Sequence, residues 1–208
     1  MADFRQNVFV NCPLDADYWP LFRPLAYTIR KLGFTPRYSL ERADSSEVRI
    51  EKIISLISES KYGIHDLSRC KAREVGELFR LNMPLELGLD LGAKNYGNSR
   101  HQEKRILVLE NERYRFQATA SDLAGIDIKA HSADPFKIMR CTRDWLVQEA
   151  SAPSVSPSEL WFQFNECMSR VFDQLRSENY TEGDIDHLPE HELIERMDEL
   201  TTPLPPKA

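Results

Sequence analysis

Two short segments put polar side chains at the ends of apolar elements, where rigid backbone can aim them at a ligand. In Tyr62-Gly63-Ile64-His65-Asp66-Leu67-Ser68-Arg69, an apolar strand ends in a carboxylate that is followed by a hydroxyl and a guanidinium. In Asn82-Met83-Pro84-Leu85-Glu86-Leu87-Gly88, Glu86 falls at the beginning of a helix started by Pro84, among Leu85, Leu87 and Leu89. A carboxylate half surrounded by apolar groups is fixed in direction and poorly solvated. Such groups serve as nucleophiles or cation stabilisers, or as acids when their pKa is raised. Each also has a plain structural use. An acid near a helix start favours the dipole by ~0.3–1 kcal/mol, and an Asp after a strand closes a turn. Strand alternation sends His65 and Asp66 to opposite faces, so one of them reaches a given pocket. Asp66 is the expected one, with His65 packed and hydrogen-bonded.

Other residues could complete a site beside these two. Arg37, Arg42 and Arg69 fall on loops expected at the same end of a sheet, and guanidinium groups suit bidentate contacts to phosphate, or else solvated surface. Tyr18, Trp19 and Phe22 could stack on a base or belong to the core. The chain has no G-x-x-x-x-G-K-[ST], no G-x-G-x-x-G and no G-x-S-x-G, so NTPase, dehydrogenase and triad hydrolase readings lack their main signals. Cys12, Cys70, Cys141 and Cys167 form no C-x-x-C pair, and reduced, packed thiols are expected. His187 and His191 have i, i+4 spacing, but Pro189 lies between them. No metal and no resident cofactor are expected.

The elements that must position these groups follow from periodicity. Asn7 to Val10 reads as a strand, and Leu21, Leu25, Ile29 and Leu32 as one face of a helix regular from Pro24. Phe34 to Tyr38 is a second strand. Asp44 and Glu47 form the pattern of a capping box before Ile50, Ile53, Ile54 and Ile57, the strongest helical signal in the chain. Tyr62 to Asp66, Arg105 to Leu109 and Ile126 to Ala130 are further strands, and Met83 to Lys94 a helix. Alternation of this kind predicts an α/β fold in three layers around a mostly parallel, flavodoxin-like sheet, with C-terminal helices. Ligands of such sheets bind beyond the carboxyl ends of the strands. The loops of interest are therefore Asn11–Tyr18, Tyr38–Asp44, Asp66–Asn82 and Glu110–Phe116.

After Asp134 the strand signal ends. Ile138 to Leu146 and Leu160 to Leu175 read as helices on either side of the Ser/Pro-rich linker 150–158. The expected organisation is an α/β domain over 1–150, a helix over 151–178 and an acidic, loosely ordered tail over 179–208. The apolar stripe from Leu160 to Leu175 must be covered, either by the domain itself or by an oligomer or protein contact. The chain has 208 residues and a formal charge of -6, which argues against an extended nucleic-acid surface and leaves room for a local basic pocket for one small anion. No membrane span and no apolar leader core are read, and a cytoplasmic location is expected.

Val8-Phe9-Val10-Asn11-Cys12-Pro13 with Asp15 and Tyr18, Ile64-His65-Asp66-Leu67-Ser68, and Asn82-Met83-Pro84-Leu85-Glu86-Leu87-Gly88 together resemble the nucleoside 2-deoxyribosyltransferase-like and TIR-like superfamily over roughly residues 5–130. Members cleave N-glycosidic bonds of nucleosides, nucleotides or NAD, often as assemblies, and several serve in antiphage defence. The resemblance implies that Glu86 attacks the anomeric carbon or stabilises the cation there, and that Asp66 assists the leaving base. It also implies that Asn11 lines the sugar pocket, with Pro13, Asp15, Tyr18, Ser68, Arg69, Asn82 and Met83 around the substrate. Asn82 and Met83 depart from the transferases, which tend to carry an Asp and small residues there. Cleavage is thus expected over deoxyribosyl transfer. The alternative from a different class is a non-catalytic TIR-like module that senses a nucleotide or binds a protein.

Overall fold

The computed structural model describes residues 3–70, 81–113, 115, 121–123 and 125–206. Part of the expected Asp66–Asn82 loop, and Tyr114 and Phe116 in the Glu110–Phe116 loop, lie outside the described residues. Five strands form one parallel sheet in the order β2-β1-β3-β4-β5. They are β1 (Asn7–Asn11), β2 (Thr35–Arg37), β3 (Tyr62–Asp66), β4 (Arg105–Glu110) and β5 (Ile128–Ala130). The α/β class is as expected, and every pairing is parallel. β1 and β3 are buried along their whole length, as central strands of a parallel sheet must be. The order is that of doubly wound sheets whose connections reverse direction between β1 and β3, and the crevice at such a switch point is where ligands bind.

The chain divides into two compact units, Met1–Asp15 with Thr35–Asp134, and Ala16–Phe34 with Pro135–Ala208. The expected boundary at residue 150 is therefore replaced by a discontinuous one. The first unit holds the sheet with α2 (Arg49–Ser58), α3 (Asn82–Tyr96) and the short α4 (Ser99–Gln102). The register Phe9↔Gly63, Asn11↔His65 and His65↔Val108 puts these residues on one face of the sheet. Ile53, Leu56 and Ile57 of α2 and Leu89 and Ala93 of α3 pack there around Phe9. Leu87 and Met83 of α3 cluster with Val108 and Leu67. Asp44 does not cap α2, which begins five residues later behind Val48. Its Oδ1 instead accepts from the Ser46 amide at 2.9 Å and the Ser46 hydroxyl at 2.7 Å, a local turn that competes with helix initiation.

The second unit is helical and contains α1 (Trp19–Lys31), α5 (Pro135–Glu149), α6 (Pro157–Ser177), α7 (Glu182–Asp186) and α8 (Glu190–Leu200). α1 starts at Trp19, earlier than Pro24, because Pro20 fits its first turn and the interior Pro24 is tolerated. The acidic tail is not loosely ordered. Thr181 and Asp184 form a capping box that starts α7, and Leu193, Ile194 and Met197 of α8 are buried. The acidity that suggested disorder has its complement far back in the sequence. Arg23 donates to both carboxylate oxygens of Glu190 at 2.8 and 2.7 Å, and Arg30 pairs with Asp198. The Leu160–Leu175 stripe is buried within this unit, where Phe164 meets Tyr27 edge-on at 5.5 Å and Cys167 lies 3.7 Å from the Met197 carbonyl. The apolar face that suggested an oligomer contact is covered by the chain's own helices. Among the described residues no helix is long and apolar enough to cross a membrane.

Candidate active site

A cavity of about 300 Å³ lies at the carboxyl end of β1, within the first unit. Asn11, Cys12 and Pro13 form its floor, Ser39 and Leu40 come from the segment after β2, and Arg49 and Ile53 come from α2. The start of α3 supplies Asn82, Met83 and Glu86. Of the residues proposed from sequence, Asn11, Pro13, Asn82, Met83 and Glu86 are thus brought together. Pro84 near the start of α3 needs no amide hydrogen bond, and Leu87 and Leu89 pack the helix on the sheet while Leu85 is exposed, so the carboxylate is presented by rigid backbone.

Glu86 is 7% exposed and makes no hydrogen bond or ion pair with the described residues. Burial pushes its carboxyl from 4.5 up to about 7, and the positive charge of Arg49 pulls it part of the way back. A helix-start acid serving only its own helix would bind the orphan amides. The side-chain hydrogen bonds here show no such cap, and Leu81 at the cap position makes none either. Glu86 is therefore a poorly solvated carboxylate held open to a cavity.

Asn11 is oriented by a buried chain of polar groups. Its Nδ2 donates to the Met83 carbonyl at 2.9 Å and faces His65 Nδ1 at 2.9 Å. A carbonyl can only accept, so the amide can be placed one way round, and His65 Nδ1 must be the acceptor. The other ring nitrogen then carries the proton, and Nε2 donates to Asp90 Oδ2 at 2.9 Å. Lys104 Nζ lies 3.1 Å from Asp90 Oδ1 and donates to the Ile57 carbonyl at 2.7 Å and to that of Ser60. Burial alone would raise Asp90, but the His65 hydrogen bond and the Lys104 charge hold it below the usual carboxylate range. Burial lowers Lys104, against the pull of Asp90. His65, Asp90 and Lys104 are fully buried. Both Asn11 amide hydrogens are engaged, which leaves Oδ1 as the atom it offers to a ligand.

Asp66 does not line the cavity. It projects from the sheet face opposite His65, where its carboxylate accepts from the Ser68 amide at 2.8 Å, from the Ser68 hydroxyl and from His131 Nε2 at 3.0 Å. Neither strand residue lines this pocket: His65 is fully buried and hydrogen-bonded, as expected, and Asp66 lies on the other face. The face that α3 covers is the one carrying Asn11 and His65, and sequence periodicity cannot say which face a following helix will cover. Ser68, Arg69 and Asp15 are also outside the lining. Arg69 is held by Asp15 at 2.9 and 3.0 Å. Tyr18 is buried in the helical unit. Arg37 is bound by Glu41 and Glu59, and Arg42 by Glu47 and Glu59, so these predicted phosphate ligands are engaged within the chain.

Arg49, Ser39 and Cys12 line the cavity without having been singled out as site residues. One sequence signal for Arg49 exists: a cation as the first residue of a helix opposes the helix dipole, an arrangement that needs another reason. Cys12 is a packed thiol, raised well above 9 by burial, with Asp66, Glu86 and Asp15 adding to the effect. Among the described residues no group of three or more His, Cys, Asp or Glu side chains is arranged to hold a metal ion. Comparison with protein-family models, curated proteins and solved structures finds no match.

Proposed function

We propose that the chain cleaves the N-glycosidic bond between base and sugar in a nucleotide, a nucleoside or NAD, with Glu86 as the reacting carboxylate. The observation that carries this reading is Glu86 itself: a buried carboxylate without a protein partner among the described residues, facing a cavity at the switch point of a parallel sheet. Glycosidic cleavage builds positive charge on the sugar ring, and an ionised carboxylate against the anomeric carbon stabilises that charge. The bonding pair of the C–N bond leaves with the base, which takes a proton from water in a nucleoside or nucleotide and departs as a neutral pyridine from NAD. The anomeric carbon is either captured by Glu86 as an ester that water hydrolyses, or attacked by water directly. With a carboxyl near 7, Glu86 is about half ionised at neutral pH, and the cation forming beside it favours the ionised form. Asn11 Oδ1, locked by Met83 and His65, accepts a hydrogen bond from a sugar hydroxyl, and Met83 and Pro13 wall the ring. Asp66 is left out of this mechanism because it is engaged with Ser68 and His131.

The test is incubation of the purified protein with NAD and with matched nucleosides and nucleotides, followed by chromatography of released base. Release of base from one class supports the reading. Failure to release base from any of them, by folded protein at high concentration with ligand shown to be bound, refutes it.

A further inference from the structure

The cavity has an end that the glycosidic reaction does not use. Arg49 stands there, exposed, as the first residue of α2, and forms no hydrogen bond or ion pair with the described residues. Arg37, Arg42, Arg69 and Arg115 are by contrast each held by a carboxylate of the chain. The charge of Arg49 acts on Glu86, yet the two groups are not within the 4.0 Å of an ion pair. A space therefore separates a free guanidinium from a buried carboxylate in one cavity. The first amides of α2 lie at the same end, and the residue before them, Val48, offers no side-chain cap. The second, independent observation is Ser39. It lines the cavity and is 94% buried (6% exposed), and its hydroxyl has no hydrogen-bond partner among the described residues. An unpaired buried hydroxyl costs about 1–3 kcal/mol of stability unless a ligand engages it.

Resting on the function proposed above, we infer that Arg49, the Ser39 hydroxyl and the start of α2 bind a phosphate monoester, so that the substrate is a mononucleotide whose sugar spans the gap to Glu86. The chemistry is complementary at both ends. A guanidinium, a hydroxyl and uncapped helix amides suit a dianionic phosphate, whereas the cation of the transition state needs Glu86. Separation of the two keeps the arginine from pairing with the carboxylate it would otherwise neutralise. A volume of about 300 Å³ is at the small end for ligand pockets, which suits one nucleoside unit better than a dinucleotide.

The test measures binding by calorimetry to Glu86→Gln protein, which holds ligand without turnover, using nucleoside 5′-monophosphates, the matching nucleosides and NAD. The monophosphates are expected to bind more tightly than the nucleosides. Arg49→Gln, added to that background, is expected to weaken monophosphate binding about tenfold or more and leave nucleoside binding unchanged, and Arg49→Lys to restore part of the loss. Ser39→Ala should weaken monophosphate binding while raising the unfolding midpoint of the free protein, two effects of opposite sign that a packing role does not produce. Equal affinity for nucleoside and monophosphate, equal weakening of both by Arg49→Gln, or tighter binding of NAD than of the monophosphates would overturn the inference. Arg49-dependent binding of monophosphates without base release by the wild type would leave the phosphate site standing and refute the glycosidase reading. Base release from nucleosides and nucleotides alike, indifferent to Arg49, would do the reverse.

Discussion

Glu86→Gln keeps the shape of the side chain and removes its charge, so its effect on stability should depend on pH in a way the cavity dictates. In the folded chain the Glu86 carboxyl titrates at about 7, against 4.5 when solvated. Between those values the unfolded chain releases a proton that the folded chain retains. Stability from this group therefore falls as pH rises through 4.5 to 7, and below that window the wild type carries no penalty. At 1.36 kcal/mol per pH unit the full shift corresponds to about 3 kcal/mol above pH 7. Water entering the open cavity screens part of it, so about 2 kcal/mol is expected. Urea unfolding read by far-ultraviolet circular dichroism, at pH 4 and pH 8, checks this directly. The two proteins should have the same stability at pH 4, and Glu86→Gln should be more stable by about 2 kcal/mol at pH 8. A pH-independent difference, or a less stable variant at pH 8, would show that Glu86 makes a stabilising contact in the free protein and would refute the reasoning.

Other substitutions probe the elements that hold the site. A Cβ on Gly63 would lie 2.1 Å from Asp90 Oδ2 and 3.0 Å from His65 Nε2, so Gly63→Ala must break the buried chain. A loss of about 2–4 kcal/mol is expected in the same urea assay, and a neutral result would show that Asp90 is free to move. Asn11→Ala leaves the Met83 carbonyl and His65 Nδ1 without their donor, at about 1–3 kcal/mol, and should slow base release more than it weakens binding. In the helical unit, Met197→Ala empties a fully buried position of α8 and should cost about 2–4 kcal/mol. Trp19, Trp145 and Trp161 all belong to that unit, so their fluorescence reports its unfolding. A disordered tail would give no change.

What could be read from sequence depended on whether the determining contact was local. The isoleucines of α2, the apolar runs of β1 and β3 and the proline at the start of α3 each fix their own element, and those elements formed close to where they were expected. Glu86 was legible because it lies near the start of such an element, α3, whereas Asn11, the last residue of β1, was pointed to by the resemblance. His65 is packed and hydrogen-bonded as expected, but the place of Asp66 was not legible, since which face of a strand meets the pocket is decided by α3 many residues away. The engaged arginines illustrate the same limit. Arg37 and Arg42 look like phosphate ligands until Glu59 is found beside both. Arg49 looks like a solvated helix residue until it is seen to line a cavity with no partner among the described residues. In the tail, Glu190 and Asp198 signal disorder only while Arg23 and Arg30 are out of view.

The most direct test of the central claim is the rate of base release by wild type and Glu86→Gln, measured side by side on nucleoside 5′-monophosphates from pH 5 to pH 9. If an ionised Glu86 faces the anomeric carbon, the wild-type rate rises with pH through an apparent pKa near 7, and Glu86→Gln binds the same ligand with its release lowered by about a thousandfold or more. Release by Glu86→Gln at the wild-type rate would contradict the account, whatever the pH profile.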